Sequence, residues 1–214
     1  MLILAFDTAL AACSVAVWED GMTRASERAV MDRGQAEALV PMIKATLAAA
    51  GREIGAVDRI AVTVGPGSFT GVRVGLATAR GLGLALGRPV IGATTGEVLA
   101  GAARRAGLDT PIVSAIDTKR GDLYVELSTA SPAAMTAPVV LAVHEVGGWL
   151  KDRGIESFIV VGDGADMMGH AAYGEATLPD PAVLAALAAE RAPLLQGPLP
   201  AYVRAPDVTF PRAR

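Results

Sequence analysis

Two stretches carry the residue types that phosphate chemistry uses. Asp7 and Thr8 fall at a turn between the short apolar runs Leu2 to Phe6 and Ser14 to Trp18. A carboxylate there can reach a nucleotide's metal ion, and the converging amides beside it can meet a phosphate. The second stretch is 65-GPGSFTG-71, where Gly65 and Gly67 free the backbone, Ser68 or Thr70 can cap the next helix, and the first helical amides are unpaired. Asp7, Thr8, Gly65, Gly67 and Ser68 are thus the candidate nucleotide positions. The loop is not a Walker motif, because no lysine stands at the helix start. The same residues also read as turn-formers at an ordinary strand-to-helix junction, as does Asp117 in 115-AIDT-118.

The remaining reactive groups are scattered. His144 and His170 lie far apart in different expected elements, and neither Ser14 nor Ser68 has an evident histidine partner or sits in a G-x-S-x-G elbow. Neither a catalytic triad nor a metal-ligand pair is expected. The single cysteine, Cys13, excludes an intrachain disulfide framework and reads as a strand thiol in a reducing compartment. Charged residues make up 19% of the 214 and the net charge is -3, so no overall basic field points to nucleic acid. Asp7 interrupts the apolar opening, and Arg73, Arg80 and Arg88 interrupt the longest apolar tract. A cytoplasmic protein with no membrane span is expected.

Positioning these groups requires an antiparallel meander over residues 2–30, with 19-EDG-21 as one turn, then a helix over 33–50 interrupted by Pro41. A strand over 59–64, the glycine loop and a helix over 70–86 ended by Gly87 follow. The pattern then restarts, since 115-AIDT-118 repeats 5-AFDT-8 at an offset of 110 and 159-IVVGDG-164 echoes 62-VTVGPG-67. The second copy is poorer, ending in a short helix over 180–190 capped by Asp180. A meander, helix, strand and helix given twice describes an α/β, duplicated ribonuclease-H-like fold of the actin, hexokinase and Hsp70 kind, with its second lobe reduced. The expected lobes are 1–108 and 109–214, the extreme carboxyl end being free to return to the first.

The helix over 70–86 is unusual in its glycines, each costing about 1 kcal/mol relative to alanine in a helix. Gly71, Gly75, Ala79 and Gly83 recur every four residues, and Ala77, Gly81 and Ala85 form a neighbouring small row. Such rows admit another backbone closely, and two of them exceed what one intrachain contact needs.

These residues together resemble the bacterial TsaB (YeaZ) family. The carriers are 3-ILAFDTALAACSVAVWEDG-21, 40-VPMI-43, 65-GPGSFTGVRVGLATARGLGLALGRPVIG-92, 115-AIDTKRGDLY-124, 161-VGDGA-165 and 200-PAYVRAPDVTF-210. The resemblance implies a non-catalytic partner of a TsaD-type protein, working with a TsaE-type ATPase in making threonylcarbamoyladenosine in tRNA, with tRNA reached only through the complex. It implies no cofactor beyond weak ATP or ADP binding, and no support for the older M22 glycoprotease-like label. TsaD-like proteins hold a metal with two histidines on the first helix of the lobe, and the helix from Arg33 onward has none. The partner interface is expected on Gln35, Leu39, Met42, Gly71, Gly75, Ala79 and Gly83. Two other readings stay open: an ATP-dependent phosphotransferase using Asp7, Thr8 and the glycine loop, and a stand-alone homodimeric binding protein.

Overall fold

The structure is a computed structural model that describes residues 1–129, 135–194 and 196–204. β1 (Leu2–Asp7), β2 (Ala12–Glu19) and β3 (Met22–Val30) form the expected meander, and Asp20 and Gly21, both at positive φ, make the two-residue hairpin between β2 and β3. α1 (Gln35–Ala49) runs through Pro41. β4 (Arg59–Thr63) lies parallel to β1, α2 (Phe69–Leu86) follows it, and β5 (Val90–Ala93) completes a sheet of order β3-β2-β1-β4-β5.

After α3 (Thr95–Arg105) the design repeats with β6 (Ile112–Asp117), β7 (Asp122–Ser128), β8 (Val139–Ala142), α4 (Val143–Lys151) and β9 (Ile159–Val161). Their order, β8-β7-β6-β9, matches that of the first four strands, with two antiparallel pairs and one parallel pair. Among the described residues the second sheet has no counterpart of β5, and a 3-10 turn at Asp166–Met168 stands where α2 does in the first copy. The protein thus has the duplicated ribonuclease-H-like fold with a reduced second lobe.

β1 and β2 are buried on both faces, so the first sheet needs two covering layers. Leu4, Phe6, Val15 and Val17 pack against Leu39, Ile43 and Leu47 of α1 and Val72 and Leu76 of α2. The alternate residues, Ile3 and Ala5, face the other way and meet Val183, Leu184 and Ala188 of α5 (Pro181–Glu190). Asp180 caps α5 by accepting from the Ala182 N–H at 2.8 Å. Here the structure differs from the expected division at residue 108. α5 returns to the first lobe and covers the second face of the doubly apolar β1 and β2, while residues 198–204 return along β4, β5 and α2, as the expectation allowed for the extreme carboxyl end. Residues 205–214, including the end of the 200–210 motif, lie outside the described residues. Among the described residues no helix is long and apolar enough to cross a membrane.

α3, which periodicity did not single out, joins the lobes. Thr94 and Glu97 close a capping box at its start, and Leu99, Ala100 and Ala103 pack on Ile112 and Ile116 of the second sheet. Glu126, on β7 and only 1% exposed, accepts from the Thr94 hydroxyl at 2.6 Å and the Gly96 N–H at 3.2 Å. A Cβ at Gly96 would lie 2.3 Å from the Glu126 Oε1, so a side chain there would displace this carboxylate. Glu97 is in turn held by Arg191 at 2.6 Å. Burial pushes the Glu126 carboxyl up to about 7, with Glu97 adding to the rise and the Thr94 and Gly96 hydrogen bonds opposing it.

The unfolded chain releases this proton near pH 4.5 and the folded one near pH 7, so its share of stability falls as pH rises through that window. Glu126→Gln keeps an acceptor for the Gly96 N–H, turns the Thr94 hydroxyl from donor to acceptor of an amide N–H, and cannot ionise. Thermal melts should therefore show the variant gaining on the wild type from pH 4.5 to 7, by on the order of 2–3 kcal/mol, and holding that gain above pH 7. Parallel pH profiles would assign the slope to another group.

Candidate functional site

The end of β1 and the glycine loop meet directly. Asp7 is fully buried; one carboxylate oxygen accepts from the Thr63 hydroxyl and from the Ala9 N–H at 3.1 Å, while the other is buried without a partner. Burial pushes this carboxyl up to about 6, against the hydrogen bonds from Thr63 and Ala9 and the charge of Arg28. The Thr8 hydroxyl donates to the Gly71 carbonyl at 2.7 Å. Ser68 donates its N–H to the Ala9 carbonyl at 2.7 Å, and its hydroxyl caps α2 by accepting from the Gly71 N–H at 3.3 Å.

The glycines are needed for this approach. A Cβ at Gly67 would lie 2.3 Å from the Ala9 oxygen, and one at Gly71 would lie 1.9 Å from the Thr8 oxygen. The candidate positions Asp7, Thr8, Gly67 and Ser68 do converge, but on one another. The Asp7 carboxylate is turned inward, and the Ser68 and Gly71 amides are already bonded within the chain. Gly65, at φ 92°, passes its carbonyl to the Thr95 N–H at 2.8 Å and so ties the loop to α3.

Beyond this seam lies a cleft of about 730 Å³ between the lobes, bounded by Ala9 and Ser68 on one side, the β6-β7 turn on the other and residues 201–204 along its length. On the second-lobe wall, Asp117 accepts from the Lys119 N–H at 2.7 Å and pairs with its Nζ at 3.0 Å. Asp163 accepts from the Asp117 N–H at 3.0 Å and lies 3.4 Å from the same Nζ. Asp117 is therefore a turn-former whose charge Lys119 neutralises. Cys13 is buried in β2, His144 is exposed on α4, and His170 rests against Phe158 at 5.3 Å between ring centres. Among the described residues no group of three or more His, Cys, Asp or Glu is placed to hold a metal.

The expected partner face requires correction. A Cβ at Gly75 would lie 2.8 Å from the Thr8 hydroxyl oxygen, and one at Gly83 would lie 2.6 Å from Val90. Ala79, Leu39 and Met42 belong to the first core, Gly71 sits on Thr8, and Gln35 donates to the Met31 carbonyl at 3.1 Å. The row Gly71, Gly75, Ala79 and Gly83 is therefore the seat of α2 on its own sheet, where backbone and helix come too close for larger side chains. The outward row is Ala77, Gly81 and Ala85, all exposed, with open space where a Gly81 side chain would stand. Leu84 beside it is 87% exposed, and Val40 of α1 is 47% exposed. Spacing alone gave both rows but not which faced inward.

A duplicated actin-like fold whose phosphate-side turn and glycine loop are closed on each other is the class this geometry defines. Comparison with known proteins narrows it. The family model for TsaD, tRNA N6-adenosine threonylcarbamoyltransferase, matches residues 29–143. The tRNA threonylcarbamoyladenosine biosynthesis protein TsaB of Escherichia coli is 40% identical over 124 residues, 58% of this chain and 53% of that one. TsaB of Haemophilus influenzae is 38% identical over 125 residues, 58% and 52% of the two chains. This chain spans about half the length of the curated relatives it matches. Two solved Pseudomonas aeruginosa structures agree over more of their length. One, described as an uncharacterized protein similar to peptidase YeaZ, has a TM-score of 0.81 at 30% identity, covering 95% of this chain and 99% of that one. The other, YeaZ, has a TM-score of 0.75 at 30% identity, with 88% and 90% covered. The chain belongs to the TsaB (YeaZ) family.

The seam generates a direct expectation. Asp7→Ala leaves the Thr63 hydroxyl and the Ala9 N–H without their acceptor, and should lower the melting temperature by the equivalent of about 1–3 kcal/mol. Calorimetry with ATP and Mg²⁺ should give little or no heat for the wild type. Sub-micromolar ATP binding that Asp7→Ala abolishes would contradict this reading of the loop.

Proposed function

We propose that this chain is a non-catalytic subunit that pairs with a TsaD-type threonylcarbamoyltransferase, together with a TsaE-type ATPase, in forming threonylcarbamoyladenosine next to the anticodon of tRNA. Family membership supports the process. The observation that carries the pairing is the outward row Ala77, Gly81 and Ala85, with Leu84 exposed beside it, on a helix whose other small row is already used by its own sheet. A glycine at position 81 costs the helix about 1 kcal/mol relative to alanine although a side chain there would meet only open space, and Leu84 beside it leaves an apolar side chain in water. A partner helix crossing at Gly81 gains close backbone contact that a larger side chain would forbid. In this proposal tRNA is reached only through the complex, and a homodimer through the same row is the competing assembly.

The experiment is to mix the purified chain with the TsaD-type protein of its own organism and measure the mass of the complex by light scattering. Gly81→Leu should melt at or above the wild-type temperature, since leucine forms helix better than glycine, yet lose the complex. Gly75→Leu and Gly83→Leu should instead lower the melting temperature, as overpacking against the intrachain sheet costs about 1–3 kcal/mol. Undiminished pairing by Gly81→Leu would remove α2 from the interface. Turnover of ATP or a peptide by the chain alone would overturn the non-catalytic assignment.

A further inference from the structure

Residues 198–204 lie as a strap along α2 and across the mouth of the cleft. Pro198 is seated on Gly92, where a Cβ would come within 2.6 Å of it, and the Ala201 N–H donates to the Val64 carbonyl at 2.8 Å. Arg204 pairs with Asp122 of the second lobe. Two contacts go to the outer side of α2. Arg80 donates to the Pro198 carbonyl at 2.7 Å, and the Arg73 Nε donates to the Tyr202 hydroxyl at 3.0 Å. The Arg73 guanidinium also lies 3.6 Å over the Phe69 ring.

Arg73 and Arg80 stand four residues before and three after Ala77, which makes both its neighbours on the helix surface. A released arginine stem readily lies along adjacent small or apolar surface while its head stays in water. Either one could then cover the Ala77 and Gly81 row. We propose that the strap acts as a positioning element for that row: by engaging Arg73 and Arg80 it holds both side chains off the surface on which a partner helix docks. The inference rests on the pairing reading above and adds to it a second part of the chain, one that need not touch the partner.

The test compares affinities for the TsaD-type partner across three variants of the full chain. Ala201→Pro with Tyr202→Ala removes the Val64 hydrogen bond and the Arg73 acceptor, and hydrogen exchange over residues 198–204 verifies release while β4 stays protected. This pair should weaken partner binding by about tenfold or more. Arg73→Ala with Arg80→Ala should bind within about threefold of the wild type, because no long side chain is left to obstruct the row. Adding the two arginine changes to the released strap should restore binding to that level. A combined variant that stays as weak as strap release alone would show the strap to be a direct contact, and unchanged affinity on release would show it to be irrelevant; either overturns the proposal. Absence of any wild-type complex would instead overturn the pairing itself, and is read before any variant is made.

Discussion

The backbone of Thr8 and Ala9 lies so close to Gly67 and Gly71 that neither glycine could carry a side chain, and the rest of the first lobe follows from that contact. It clamps the start of α2 onto the end of β1 through the Thr8 hydroxyl and the Ser68 amide. With its first turn fixed, α2 must continue over β4 and β5 at the same short distance, which is why Gly75, Ala79 and Gly83 continue the small row inward. The contact also occupies the Ser68 amide, and the Ser68 hydroxyl takes up the Gly71 amide, two of the donors an anion could otherwise use at this helix N-terminus. One constraint thus directs the loop toward structure and leaves the outer row of the same helix exposed.

Much of the scaffold was legible because it rests on local physics. The Asp-Gly hairpin at residues 20 and 21, Gly87 at the end of α2, and Asp180 followed by Pro181 at α5 act within a few residues of themselves. The duplication was legible because the two meanders share their Asp-Thr turn. What could not be read was direction. Periodicity shows that α2 has two small rows, but which meets the sheet depends on where β4 and β5 lie. Spacing alone therefore points to Gly71, Gly75, Ala79 and Gly83, the row that packs inside.

Long-range closure accounts for the other differences. The 94-TTGE-97 capping box was a usable signal for α3, yet the glycine and alanine content around it masked the helix. Glu126 carries no signal of its own in the sequence, and only the approach of the α3 amino end makes it a buried tie between lobes, with its proton affinity raised by burial. α5 returns to the first lobe for a reason visible only in three dimensions, since β1 and β2 have no polar face to leave exposed.

The account's central claim is that the outward row of α2 is the docking surface, and thiol labelling reads it most directly. Ala77→Cys introduces one accessible thiol with little change in bulk. Cys13 does not compete, because it is buried and burial pushes its thiol up to about 11. The maleimide labelling rate at position 77 is then measured for the free chain and for the chain saturated with its TsaD-type partner. The account predicts labelling at least about tenfold slower in the complex, because a helix packed on the row excludes the reagent. Equal rates in the free chain and in a demonstrably formed complex would contradict it.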